Sequence, residues 1–323
     1  RMMAMTTGLP PEQYTHYRKR RRPDPLMERR LVREAEERID YRGDVVVALQ
    51  AEGARRAIRE LLDEGIESLA VCTRWSFRNP VHERMLRESA RELAPDLYVS
   101  VSSDLVPVIK EYERMATTVV NAYLGPVVNN YIAAIGKELK ASGFGKDFFM
   151  LNSVGGVIPP KEAGVKPIQL LGSGPSGGAL ASQLLARQIE QPNVLIADMG
   201  GTSFDAGLIV EGELLLQTEA VVGNLNLLSP MIGIRSIGTG GGSIAVSVDG
   251  MLKVGPGSAG SFPGPACYGR GGARPTVTDA DLALGFLNPE YFLSGKMRLD
   301  AEASRVAIRK HIAEPLGLSM LDA

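Results

Sequence analysis

The ten residues Ile196–Asp205 read IADMGGTSFD and hold two carboxylates, two glycines and two hydroxyls. A short apolar run ends at Asp198, Gly200 and Gly201 follow, then Thr202 and Ser203, and Asp205 closes the stretch. Glycines let main-chain N–H groups reach phosphate oxygens, the hydroxyls add donors, and a carboxylate on either side can hold Mg²⁺ through water or orient an attacking group. A β-hairpin accounts for part of this, because glycines are common in hairpin turns. It gives no reason for an acid at the end of a buried strand, for hydroxyls directly after the glycines, or for a second acid three residues past Thr202. A phosphate clamp uses all of them. The expectation is therefore that Asp198 and Asp205 act at the catalytic and Mg²⁺ end, and that Gly200, Gly201, Thr202 and Ser203 bind phosphate. A second run, Ile237–Ser243 (IGTGGGS), offers Gly238, Gly240, Gly241 and Gly242 for the same task.

Those residues need strands to hold them. Apolar runs predict strands at 194–198, at 207–210 and, around the turn Glu211-Gly212, at 213–217, as consecutive members of one mixed sheet with 199–206 at its ligand-facing edge. A strand from Met231 to Ile237 leads into the second glycine run, and one from Ile244 to Val248 leaves it and turns at Asp249-Gly250. In TVTDADLALGFL, Thr278 is expected to cap a helix, and capping and the helix dipole alone account for Asp279 and Asp281. Upstream, a helix over about 53–64, a strand at 66–71, a helix from Asn79-Pro80 to about Leu93 and a strand at 97–101 give an α/β rhythm. A helical stretch from about 107 to 140 is expected to break or kink at Gly125-Pro126. Short strands are predicted at 148–152 and 169–173. Then GSGPSGG reads as a turn feeding an amphipathic helix with Leu180, Leu184, Leu185 and Ile189. That helix start suits either an anion or close packing on a sheet. The expected division is 1–106, an α/β segment, and 107–323, a lobe carrying the phosphate turns.

Composition narrows the function. Lys and Arg total 36 against 37 Asp and Glu, so the net charge of -1 gives no basis for binding nucleic acid or an anionic membrane. The basic run RKRRR at 18–22 lacks the interleaved aromatics of a nucleic-acid surface and reads as a solvated loop. Two cysteines, Cys72 and Cys267, exclude a disulfide framework and a cysteine-based zinc knuckle, and a reducing cytoplasm is the default setting. No apolar run is long enough to span a membrane. With three histidines, a zinc or iron site made by this chain alone is not expected, and His82 reads as a helix-surface residue. Glycine is abundant, 36 in all, and twelve lie between Gly238 and Gly272, where side chains would obstruct something.

At five stretches the chain resembles the hydantoinase A/5-oxoprolinase family: EYERMATTVVNAYLGP, DMGGTSFDAGLI, SIGTGGGSI, PGPACYGRGG and PTVTDADLALGFLNPEYF. That family includes ATP-dependent N-methylhydantoinases, 5-oxoprolinases and subunits of acetone and acetophenone carboxylases. The resemblance implies an α/β, two-lobed ATPase fold of the actin, sugar-kinase and Hsp70 type (ribonuclease H-like), with mixed sheets flanked by helices. It also implies ATP with Mg²⁺, and Gly200, Gly201 and Thr202 match the second-lobe phosphate turn. Implied partners are a hydantoinase B-like subunit and other subunits of a hetero-oligomer, one of which could supply another divalent metal. The implied substrate is a small carbonyl compound or cyclic amide.

The chain also departs from the family. Members are about twice as long, open on a GGTFTD-like phosphate motif and carry a later GGAGP-like segment, and neither motif is found here. A fragment, or one product of a split chain, is the expectation. Trp75-Ser76-Phe77 stands where members often have His-Ser-Tyr, so no role for that histidine carries over. Three readings follow: the ATP-hydrolysing part of a multi-subunit ketone carboxylase, which is preferred; an ATP-dependent cyclic amidohydrolase; and a non-catalytic structural subunit.

Overall fold

The computed structural model describes residues 25–222 and 225–323; the basic run at 18–22 lies outside them. Contacts divide the chain into two compact units. One holds the residues up to Gly177 together with Leu216–Ile232, and the other holds Gly178–Leu215 with Gly233–Ala323.

In the first unit, helix α1 (Ala51–Asp63) forms where apolar positions recur at helical spacing, and it buries Ala54, Ile58 and Leu61. Strands β1 (Ser68–Val71) and β2 (Tyr98–Val101) pair in parallel, Ser68 opposite Tyr98 and Val71 opposite Val101. Parallel neighbours need a crossover, which α2 (Val81–Leu93) supplies. Its entry is held by Asn79, whose Oδ1 accepts the Val81 N–H at 3.1 Å.

Helix α3 (Glu111–Ala141) runs through Gly125-Pro126 without a break, at the point where a break or kink was expected. Gly125 serves packing instead: a Cβ there would lie 2.3 Å from the Tyr98 ring. The Tyr98 hydroxyl donates to the Val165 carbonyl at 2.8 Å, so the ring is fixed against the helix.

The strand expected at 148–152 is confined to Met150–Leu151. At 169–173 there is no strand. Pro167–Leu170 is a 3-10 turn, and α4 (Ser173–Gln188) begins after Leu171 and Gly172. The GPSGG run is thus inside the helix rather than a turn feeding it. Its small residues permit close approach: a Cβ on Gly177 would meet Leu151 at 2.9 Å, and one on Gly178 would lie 3.5 Å from Asp198 Oδ2.

The second unit is built on a sheet of β3 (Val194–Met199), β4 (Phe204–Val210), β5 (Glu213–Leu214) and β6 (Ile234–Ile237), with β4 between β3 and β6. Every pairing is antiparallel, with short hairpins joining β3 to β4 and β4 to β5, where a mixed sheet was expected. Strand β4 starts three residues earlier than expected. The strand expected over 213–217 splits, because Leu216–Gln217 pairs with Met231–Ile232 in the other unit. Glu211-Gly212 and Asp249-Gly250 are both left-handed in φ, the backbone a two-residue hairpin turn requires. The second of these joins β7 (Ser243–Val248) to β8 (Met251–Ser258).

One face of the main sheet buries Ile196 and Ile209. The opposite face leaves Leu195 70% exposed, Ile237 54% and Leu208 48%, with Met199 and Val210 also in solvent. Apolar residues on both faces are the pattern of a sheet covered on both sides. Helices α5 (Val277–Ala283) and α6 (Ala301–Ile308) pack near a separate small core of Cys267, Leu282 and Leu299.

Candidate phosphate-binding turns

The β3–β4 connection is the four-residue turn Gly200–Ser203, closed by the Gly200 N–H donating to the Ser203 carbonyl at 2.9 Å. Because β4 begins at Phe204, Asp205 lies within a strand and stands directly opposite Asp198. Ser236 of β6 stands opposite Asp205 on its other side and donates its hydroxyl to that carboxylate. Directly paired residues share a face, with Cβ atoms about 4.5–5.5 Å apart, and like charges so placed repel. None of the ion pairs formed among the described residues involves either acid. The row Asp198–Asp205–Ser236 therefore concentrates negative charge and oxygen donors beside the glycine turn, and a cation there would relieve it.

The second glycine run locks onto the first. Gly241 N–H donates to the Gly200 carbonyl at 2.9 Å and Gly242 N–H to the Gly201 carbonyl at 2.7 Å. A Cβ on Gly240 would lie 2.6 Å from the Ser203 nitrogen, and one on Gly242 would lie 2.9 Å from the Gly201 oxygen. These glycines are needed for one turn to lie on the other. Gly201 and Gly238 differ: nothing lies within 4 Å of a Cβ built on either, and neither is left-handed. Within the described fold no contact or backbone angle requires glycine at 201 or 238. Thr202 is exposed and Ser203 half-buried beside them.

The helix after the second run is capped by Thr276, not Thr278. Thr276 and Asp279 form a reciprocal capping box. Thr278 instead donates both its N–H, at 2.9 Å, and its hydroxyl, at 2.8 Å, to the Gly241 carbonyl. Asp279 is fully buried and accepts from Ala266 N–H, Cys267 N–H, Thr276 N–H and the Thr276 and Ser304 hydroxyls. Burial, with the Asp279 charge adding to it, pushes the Cys267 thiol up to about 12, far from the range of a nucleophile.

A second polar centre, in the first unit, escaped the sequence reading. Arg114 is wholly buried and donates to the Ser76 hydroxyl and, at 2.9 Å, to the Thr73 carbonyl. Ser76 meets Ser102 at 3.2 Å, and Ser102 donates to buried Glu83 at 2.7 Å. Two opposite buried charges are thus joined through two serines. They pin the turn at the end of β1, where Trp75 is left-handed at φ 60°. The signal was present in RWSFRNPVHE and EYERM, but nothing in their spacing says that they meet. His82 is a correction: it is buried rather than on the helix surface. Its Nε2 accepts the Leu49 N–H at 3.3 Å, and Nδ1 faces Glu37 at 2.7 Å.

Among the described residues no group of three or more His, Cys, Asp or Glu gathers as a metal cage, and no helix is long and apolar enough to cross a membrane. Mg²⁺ needs no such cage, since one or two carboxylates with water and phosphate oxygens suffice. The donors of Asp198, Asp205 and Ser236 fit that requirement.

The hydantoinase/oxoprolinase family model matches residues 114–323, and the model of that family's N-terminal region matches residues 2–94. The chain belongs to the hydantoinase/oxoprolinase family. Among family members it is 39% identical to the acetophenone carboxylase gamma subunit of Aromatoleum aromaticum, over 94% of this chain and 42% of that one. It superposes on a nucleotide-free structure of acetone carboxylase, described as an enzyme of ATP-dependent acetone carboxylation, with a TM-score of 0.81 and 32% identity, over 99% of this chain and 46% of that one. It superposes on the ATP-dependent caprolactamase of Pseudomonas jessenii with a TM-score of 0.75 and 37% identity, over 96% of this chain and 46% of that one. The chain thus spans less than half the length of these relatives. It shares the α/β fold of both solved family structures.

Proposed function

We propose that this chain supplies a phosphate- and metal-binding part of an ATP-dependent enzyme subunit, and that the enzyme is a ketone carboxylase of the acetone or acetophenone type. The observation carrying this reading is the placement of two carboxylates, neither in an ion pair among the described residues, directly opposite each other beside an exposed glycine turn. Gly201 and Thr202 offer main-chain N–H groups to phosphate oxygens, and the Thr202 and Ser203 hydroxyls add donors. Asp198 and Asp205 would hold Mg²⁺ through water, and the chemistry it would supply there is neutralisation of charge on a phosphoryl group. Transfer of the γ-phosphoryl group of ATP to an oxygen of bicarbonate or of an enolate, with ADP as the leaving group, then activates that compound for carbon–carbon bond formation. The likeness to a carboxylase subunit and to acetone carboxylase supports this class.

The likeness to caprolactamase favours a second reading, in which phosphorylation of an amide oxygen drives ring opening. Both readings place the chain in a hetero-oligomer with a hydantoinase B-like partner and, with two free thiols, in the cytoplasm. The test is ATP turnover by the assembled enzyme. The proposal expects turnover that responds to bicarbonate plus a ketone. Turnover that responds only to a hydantoin, a lactam or 5-oxoproline selects the amidohydrolase, and no turnover with either sinks both readings in favour of a structural subunit.

A further inference from the structure

Thr278 spends two donors on one acceptor. Its N–H and its hydroxyl both reach the Gly241 carbonyl, at 2.9 and 2.8 Å, and so fill both lone pairs of that oxygen from one residue. The same Gly241 donates its own N–H to Gly200 at 2.9 Å, so an unbroken hydrogen-bonded path leads from α5 through the second glycine turn to the first. The space is closed as well as bonded: a Cβ on Gly241 would stand 2.9 Å from Thr278 Oγ1. At the other end of the path α5 is held fast, because Asp279, the next residue, is fixed by donors from Ala266, Cys267, Thr276 and Ser304. Thr278 itself is buried, at 8% exposure.

We infer that Thr278 is a positioning residue for the phosphate turns, setting the height of Gly241 and, through it, the Gly200 carbonyl and the amides that follow it. The inference rests on the nucleotide reading of those turns and deepens it. It predicts an effect on one substrate only. Thr278→Val keeps the shape and the N–H bond and removes the hydroxyl bond, which frees the turn to shift by a few tenths of an ångström. In the assembled enzyme it raises the KM for ATP about three- to tenfold, the scale of one hydrogen bond. The KM for the carbon substrate stays unmoved. Thr278→Ser, which restores the hydroxyl, returns the KM for ATP to about the wild-type value.

A purely structural threonine gives a different pattern. In that case Thr278→Val lowers the melting temperature while both KM values stay at wild type, and that result overturns the inference while leaving the nucleotide reading intact. Should Thr278→Val fail to assemble, Thr278→Ala, which likewise keeps the N–H bond and removes the hydroxyl bond, decides in its place. An unchanged KM for ATP with a lowered melting temperature overturns the inference; a shifted KM for ATP with an unchanged KM for the carbon substrate supports it. A wild-type assembly that binds no ATP removes the nucleotide reading and this inference with it.

Discussion

Replacing Asp279 by asparagine keeps the shape of the side chain and turns one acceptor oxygen into a donor. In the native fold Oδ1 accepts from Cys267 N–H at 2.8 Å and the Ser304 hydroxyl at 2.7 Å, while Oδ2 accepts from Ala266 N–H, Thr276 N–H and the Thr276 hydroxyl. An amide nitrogen in the Oδ2 position would face two main-chain N–H groups, which cannot turn away. In the Oδ1 position it faces only one, Cys267, because the Ser304 hydroxyl can rotate to accept. The better orientation still leaves one buried N–H without an acceptor, at a cost of about 1–3 kcal/mol, and the remaining bonds lose their charge assistance. The expected destabilisation is about 2–4 kcal/mol, a large share of the roughly 5–15 kcal/mol that holds a domain together. The assay is the denaturation midpoint of the complete protein, with Asp281→Asn as the control, since that half-buried acid on the same helix makes no such set of bonds. A loss for Asp279→Asn of less than about 0.5 kcal/mol, the range of ordinary surface changes, would refute the reasoning.

The two kinds of glycine should separate. Gly240→Ala forces a Cβ to within 2.6 Å of main-chain atoms and lowers the melting temperature, by about 1–3 kcal/mol of stability; Gly201→Ala, with open space around it, leaves melting alone and weakens ATP binding by the assembled enzyme, read by calorimetry. The Cys267 thiol, raised by burial and by Asp279, keeps its proton in the folded chain while an unfolded cysteine loses it above about pH 8.5. Its contribution is therefore complete below that pH and lost as pH rises towards about 12, so Cys267→Ala should flatten the fall of the denaturation midpoint between pH 8 and pH 10. The exposed apolar face of the main sheet, Leu195, Met199, Leu208, Val210 and Ile237, should make the isolated chain bind a hydrophobic dye that the assembled enzyme does not.

Much of the fold could be read along the chain because its signals are local. Spacing of Ala54, Ile58 and Leu61 announced α1, the Asn-Pro step announced α2, and the glycine-bearing pairs Glu211-Gly212 and Asp249-Gly250 announced two hairpins. Misses came where tertiary contact overrode propensity. Gly125 marks the seat of the Tyr98 ring in a helix that does not break there, and the GPSGG run is thin helix laid against neighbours, not a turn before one. Register was beyond reach of the pattern. Nothing in IADMGGTSFD says that the hairpin pairs Asp198 with Asp205, and nothing in IRSI places Ser236 beside them. The same holds for Thr278: a threonine two residues past the true cap looks like the cap until the second glycine turn is seen resting on it.

The central claim is that Asp198 and Asp205 hold the metal–phosphate end of an ATP site. The most direct measurement is the ATPase rate and melting temperature of assemblies carrying Asp198→Asn or Asp205→Asn. Each change removes one of two facing like charges and keeps the acceptor that Ser236 uses at Asp205, so melting should hold or rise slightly. Turnover should fall about a hundred- to a thousandfold, the usual cost of removing a positioned electrostatic group from a transition state. Unchanged turnover in both variants, with lowered melting, would contradict the claim and make the stretch a structural turn.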